Sequence, residues 1–382
     1  MKDIRTLRKD IDSIDTQILD LFAQRMDCVS QVAEYKREHG LPVLDRTRER
    51  AKLADVASRA PENLGNSAQV LFSVLMDLAK ADEGNRMGSS SKLVERIKRA
   101  RRSTPELFPQ TARVACQGVE GAYSQVAADR LFKHPDISYV RTFADVFEAV
   151  ENGRCQYGVV PVENSTAGSV NQVYDLLARY KCHIVRTFRL KVDHCLLAKP
   201  GAELSTIRDI YSHEQAINQC SDFLASLGDS VRVHICENTA MAAQMVAESD
   251  RTDVAALSSR FCCELYGLKQ LASGVQDMGN NYTRFACISK ELQIFPGAER
   301  TSLMMTVGHK PGSLYRVLGR FFALDINLVK LESRPIPERD FDFMFYFDLE
   351  CPVAAPEFSA LISSLDDVCE EYRYLGSYSE NV

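Results

Sequence analysis

The chain has 382 residues, enough for two or three domains with a core each, and its 45% hydrophobic and 26% charged content is that of an ordinary globular protein. A net charge of -6 and a pI near 5.8 exclude a general nucleic-acid-binding surface, which shows as basic excess, and leave small molecules as the expected partners. No apolar run approaches the length of a membrane span and the opening MKDIRTLRKDID is charged from its second residue, so the expectation is a cytoplasmic protein with no membrane contact.

Residues 1–84 read as all-helical. Ile4, Leu7, Ile11, Ile14, Ile18 and Leu21 repeat at three-four spacing, and the pattern resumes at Cys28, Val32 and Tyr35. One helix is therefore expected from Asp3 to Glu38, about 50 Å long at ~1.5 Å per residue. So short a domain cannot cover that stripe, and a second copy of the chain is expected along it. A second helix starts after Asp45, its N-cap, and ends near Pro61; a third spans about 66–83. Arg25 interrupts the first stripe. A guanidinium keeps its proton and is costly to bury alone, so an anion is expected against it. Lys36 follows three turns later at nearly the same angle, Arg8 lies elsewhere on the circumference, and Asp45, Arg48 and Glu49 gather where the second helix starts. Spacing alone fits equally well a dimerisation module in which Arg25 pairs with an acidic residue across the seam.

Residues 85–111, with a Gly/Ser start, a basic middle and two prolines, read as a linker with one short helix. From 112 to 291 short buried strands (RVACQG, YGVVPVEN, RDIYSH, VRVHICE, DVAALSS, RFACISK) alternate with helices. That alternation predicts parallel sheet covered on both faces, in two lobes with a cleft between them. Strand ends run into polar or glycine residues at GVEGAYS, ENSTAGS, SHEQA and ENTAMAA, and helix N-termini at such places favour anions. Capping alone accounts for any one of them, as with Ser212 and Gln215. NNYTRFACIS comes after the second lobe is complete and is expected to cross back at the hinge. Residues 300–378 give the order βαββαβ, an antiparallel sheet with both helices on one face. The fold class is thus multidomain: an all-α dimeric domain, an α/β two-lobed domain and an α+β domain. The 12 cysteines, with no C-x-x-C pair, read as reduced, packed thiols; no metal and no cofactor are implied.

The order Arg8, Arg25, Lys36, Asp45, Arg48, Glu49 on three helices resembles the all-helical chorismate mutases. The resemblance implies that Arg8 of a partner chain and Arg25 hold the two carboxylates of chorismate, that Lys36 bonds the ether oxygen and Glu49 the ring hydroxyl, and that Asp45 and Arg48 support the site. Glu83 falls where many members place a glutamine against the ether oxygen. A carboxylate cannot donate, so Glu83 is expected to be protonated.

The Thr-Arg-Phe triplet at 283–285, the Glu-Asn-Ser turn at 163–165 and the GVEGAYS opening resemble prephenate dehydratase. A periplasmic-binding-protein-like fold is implied, with Thr283 donating to the ring hydroxyl of prephenate and Asn164, Ser212, Gln219 and Arg284 binding or orienting it. GHKPGSLYRVL and LESRPIP resemble the ACT-type regulatory domain. Phenylalanine is then implied as an effector around Gly312, Ser313 and Leu314, together with Glu332, Ser333 and Arg334 of the second signature. Taken together, the chain resembles the bifunctional chorismate mutase-prephenate dehydratases of phenylalanine biosynthesis, as a homodimer or higher homo-oligomer under phenylalanine feedback. Two alternatives stay open on the residues: a monofunctional dehydratase with a helical dimerisation domain, and a non-catalytic small-molecule sensor.

Overall fold

The computed structural model describes residues 2–41, 45–87, 92–336 and 343–381. Outside them lie the loop at 42–44, the glycine-serine start of the expected linker at 88–91, and 337–342, which holds the end of LESRPIP and the first two residues of the strand expected from 341. Four helices open the chain: α1 (Ile4–His39), α2 (Arg46–Arg59), α3 (Gly65–Met87) and α4 (Lys92–Ser103). Asp3 caps α1 by accepting from the amides of Arg5 and Thr6, and Gly40 closes it in the left-handed conformation. Both α1 and α2 lie against α3. Within one chain the α1 stripe stays open to solvent: Ile11, Ile14 and Ile18 are each more than half exposed.

Helix α4 falls in the expected linker yet is an integral part of the C-terminal core. Val94, Ile97 and Ala100, one turn apart, are buried with Leu303, Phe321 and Leu361.

The α/β region has two sheets. Its first lobe runs β1 (Thr111–Gln117), α5 (Tyr123–Leu131), β2 (His134–Val140), α6 (Phe143–Glu151), β3 (Tyr157–Asn164), β4 (Gly168–Ser169), α7 (Asn171–Arg179) and β5 (His183–Lys191). The second lobe comprises β6 (His194–Ala198), β7 (Asp209–Ser212), α8 (Glu214–Asn218), α9 (Ser221–Ser226), β8 (Arg232–Ile235), α10 (Thr239–Glu248), β9 (Val254–Ser259), α11 (Phe261–Leu265) and β10 (Lys269–Ser273). Then β11 (Tyr282–Ser289) crosses back and inserts between β5 and β3 of the first lobe, antiparallel to both. β1 and β3 are parallel neighbours, and β3 reads as a continuous apolar run because both of its faces are covered.

The C-terminal unit is β12 (Arg300–Thr306), α12 (Ser313–Ala323), β13 (Asn327–Pro335), β14 (Phe343–Glu350), α13 (Pro356–Val368) and β15 (Glu371–Tyr378), with sheet order β13-β14-β12-β15. Alternate side chains serve two cores. Leu303, Met305, Phe347 and Tyr374 pack under α12 and α13, whereas Met304, Tyr346, Leu375 and Tyr378 join the first lobe's core with Tyr174 and Ile184. A last strand, β16 (Glu380–Asn381), pairs parallel with β5, so the chain re-enters the first lobe's sheet. Among the described residues no helix is long and apolar enough to cross a membrane.

Candidate active sites

Three contacts converge on a stretch of α3 about 12 Å long. Arg25 Nη1 donates to the carbonyl of Leu75 at 2.9 Å. Lys36 Nζ lies 2.7 Å from Glu83 Oε2, and Glu49 Oε1 lies 3.0 Å from Lys80 Nζ. Arg25, Lys36, Glu49 and Glu83 thus share one groove formed by α1, α2 and α3. Asp45 caps α2 by accepting from the amide of Arg48, whose side chain is exposed, as is that of Arg8. Glu83, which the resemblance makes a proton donor, lies against the Lys36 side chain.

Lys80 escaped the sequence reading. It is buried, and its ammonium also contacts Asp77 Oδ1 at 3.0 Å. A lone lysine on a helix reads as a solvated side chain, and only the placement of α2 brings Glu49 to it beside Asp77 of its own helix. Asp77 is approached from that unit: Arg316 Nη2 lies 3.5 Å from its Oδ1, and Arg320 Nη1 donates to its carbonyl at 2.6 Å.

A second site lies between the two lobes, a cavity of about 330 Å³ that both Thr283 and Asn164 line. These two are register partners on β11 and β3. Asn164 Oδ1 accepts from the amides of Thr166 and Ala167. That fixes the amide's orientation, so Nδ2 donates to Thr283 Oγ1 at 3.0 Å. With its oxygen already accepting, the threonine hydroxyl has its proton free to point into the cavity. Gln219 reaches across from the second lobe, donating to Thr166 Oγ1 at 2.9 Å and accepting from Asn281 Nδ2 at 3.0 Å. His194, whose pKa burial lowers, stands 3.1 Å from Gln219 Oε1. The sequence reading passed over His194, Asn281 and Thr166, whose polarity carries no periodic signal. The N-terminal residues of α5 and α10 also line the cavity, presenting free amides to an anion.

Two of the expected substrate contacts lie elsewhere. Ser212 is fully buried, its hydroxyl donating to the Leu257 carbonyl at 2.7 Å inside the second sheet. Arg284 follows Thr283 on a strand and so points to the opposite face. There its Nη2 lies 2.7 Å from Asp348 Oδ2 of β14 and 3.1 Å from Glu163 Oε2. The ion pairs tie β11 and β3 to the C-terminal unit rather than to the cavity.

In that unit Gly312 starts α12 with φ 82, a left-handed turn that favours glycine and leads into Ser313 and Leu314. Glu332 accepts from Ser169 Oγ, and Arg334 forms two 2.9 Å hydrogen bonds with Asp175. Both therefore turn toward the first lobe, on the sheet face opposite α12. Within one chain they are not gathered with Gly312, Ser313 and Leu314; Ser333, between them, alternates to the other face.

The chorismate mutase type II family matches residues 7–84 and the prephenate dehydratase family residues 114–293. The bifunctional chorismate mutase/prephenate dehydratase of Escherichia coli (strain K12) is 31% identical over 385 residues, covering 98% of this chain and 96% of that protein. The chloroplastic arogenate dehydratase/prephenate dehydratase 2 of Arabidopsis thaliana is 36% identical over 302 residues, 76% of each. Among solved structures, a prephenate dehydratase from Arthrobacter aurescens in complex with L-Phe superimposes with a TM-score of 0.64 at 26% identity, covering 70% of this chain and 89% of that one. With both sites present in one polypeptide and similarity along nearly its whole length, the chain belongs to the bifunctional chorismate mutase/prephenate dehydratase family.

Proposed function

We propose that the helical groove rearranges chorismate to prephenate and that the inter-lobe cavity converts prephenate to phenylpyruvate, in the service of phenylalanine biosynthesis. The observation that carries this reading is the pairing of Asn164 with Thr283 at the cavity wall, in the same chain as the Arg25, Lys36 and Glu49 groove.

The first reaction needs no proton transfer or covalent intermediate. Its barrier falls when a compact conformer is held and charge building on the ether oxygen is met by a fixed cation. Arg25, with Arg8 of a second chain, takes the two carboxylates; Lys36 donates to the ether oxygen; Glu49 accepts from the ring hydroxyl; Asp45 and Arg48 hold the start of α2. Glu83 sets the position of Lys36. The exposed stripe on α1 is the surface for that second chain, and a homodimer completes the groove.

In the second reaction the bond from the ring to its carboxylate breaks, its electrons enter the ring, and hydroxide leaves from the opposite carbon as the ring becomes aromatic. A donor at the departing oxygen is the minimum requirement. Thr283 supplies it, oriented by Asn164, while Gln219 and the amides at the starts of α5 and α10 hold the substrate's anionic groups. The C-terminal unit is an ACT-type domain, and phenylalanine binds at Gly312, Ser313 and Leu314 and lowers turnover; the L-Phe complex of the similar dehydratase supports that choice of effector. Ser333 is the residue of the second signature that stays on the effector side. Supplying chorismate and following phenylpyruvate, with and without phenylalanine, tests the whole reading. Phenylpyruvate from prephenate alone would leave a dehydratase with a dimerisation domain; ligand-dependent stability without turnover would leave a sensor.

A further inference from the structure

We infer that Arg284 is a positioning residue through which the C-terminal unit holds Thr283 in register. This rests on the reading of Thr283 as the donor in the dehydratase site. Two cross-strand pairs stand side by side where β3 ends and β11 begins: Asn164 with Thr283, and Glu163 with Arg284. Successive residues of a strand face opposite ways, so the first pair lines the cavity and the second faces the C-terminal sheet. On the β5 side the ladder is unbroken, with Tyr282, Thr283 and Arg284 opposite Lys191, Leu190 and Arg189; the β3 ladder is the irregular one. Its register shifts between Arg284 and Phe285, where Phe285 pairs with Pro161, a residue without an amide proton to give. The catalytic pair thus lies beyond a bulge in the β3 pairing.

On the face away from the cavity, charge reinforces that backbone pairing. Arg284 is 7% exposed and Asp348 fully buried. Asp348 is itself oriented by the hydroxyls of Ser302 and Tyr378. Glu163 is gripped on its other oxygen by Lys330 Nζ at 2.6 Å, and Glu380 Oε1 lies 3.8 Å from Arg284 Nη1. Arg284 is therefore anchored to β14 and Glu163 to β13 of the C-terminal unit, with Glu380 of β16 beside them. A shift of that unit pulls on the backbone one residue from the threonine hydroxyl, without any group of the unit entering the cavity.

The test uses the full chain and prephenate kinetics. Arg284→Ala is expected to lower kcat at least tenfold while KM for prephenate stays within twofold, because the guanidinium does not touch substrate. Asp348→Asn is expected to act in the same direction, and the double variant to be no worse than the poorer single one. Mutase turnover of the same polypeptide reports whether each variant is folded. Should Arg284→Ala fail to fold, Glu163→Gln at the half-exposed edge of the cluster carries the test with the same split. A raised KM with kcat intact, or Asp348→Asn indistinguishable from the parent, would overturn the inference. Full dehydratase activity in Thr283→Ala would instead overturn the reading of the site on which it rests.

Discussion

Lys80 is predicted to be a support of the mutase site that the substrate never meets. Replacing it with methionine keeps the volume and removes the charge. Its side chain is 6% exposed and its ammonium stands 3.0 Å from both Glu49 and Asp77. At that distance and an effective dielectric of about 20, each contact carries roughly 5 kcal/mol of gross attraction, most of it offset by the desolvation of a nearly buried ion. Glu49 and Asp77 retain 25% and 20% of their side-chain exposure, so water takes over part of the lost partner. The expected destabilisation is therefore about 2 kcal/mol, well below the cost of stranding a fully buried charge. The larger effect is on geometry. A Glu49 carboxylate free to move by an ångström toward solvent is expected to cost about 10–100-fold in mutase kcat/KM. Dehydratase turnover, measured on the same preparation with prephenate, should stay within twofold, and Lys80→Arg should recover part of the mutase loss. Equal losses in both activities, or no loss in the mutase, would show that Lys80 does not position Glu49.

Arg25→Gln is expected to abolish most chorismate turnover, on the order of 100-fold or more, while prephenate is still consumed at the parent rate; steady-state assays with each substrate decide it. Thr283→Ser should keep most dehydratase activity and Thr283→Ala lose it by roughly 100-fold, since a hydroxyl, not a methyl, is what the departing oxygen needs. Gly376→Ala would drive its new methyl into the carbonyl oxygen of Ile184, prising β15 from β5; a fall in thermal midpoint together with lost dehydratase activity is expected. Burial first, then the charges of Arg96 and Arg373, holds His183 at a pKa of about 4 against an ordinary 6.5. Between those values the unfolded chain binds the extra proton, so stability falls as pH drops from 6.5 to 4, by about 3 kcal/mol, and is unaffected above that window. Urea midpoints across the window should slope less in His183→Gln; parallel slopes would contradict the assignment.

Much of this architecture was legible in residue patterns. The long α1 stripe, the strand-helix alternation and the return of β11 follow from periodicity and turn residues. The strand alternation rule also bears on Thr283 and Arg284, because neighbours on a strand cannot both line one cavity unless the strand is irregular there. The resemblance assigned both to substrate, and the geometry separates them. LMM in β12 and MFYF in β14 lack polar alternation because the C-terminal sheet is covered on both faces, by helices on one and by the first lobe on the other. That doubling of cores depends on contacts between units, which no local window contains. The same holds for Lys80. Its partners arrive from α2 and from its own helix, and the C-terminal arginines reach Asp77 from some 240 positions away in the chain. Helix α4 was half visible: Val94, Ile97 and Ala100 repeat at helical spacing, but the surrounding basic residues made a solvated linker the simpler reading.

The passage of the chain from β15 into β16 makes the C-terminal unit and the dehydratase lobe structurally inseparable. Because Glu380 and Asn381 lie beside β5, trimming away the C-terminal unit would also strip a border from the first lobe's sheet and bare a row of backbone groups. On the proposal that Gly312 belongs to an effector site, desensitised forms are expected from single exchanges near it, and removal of β16 is expected to harm the dehydratase as well.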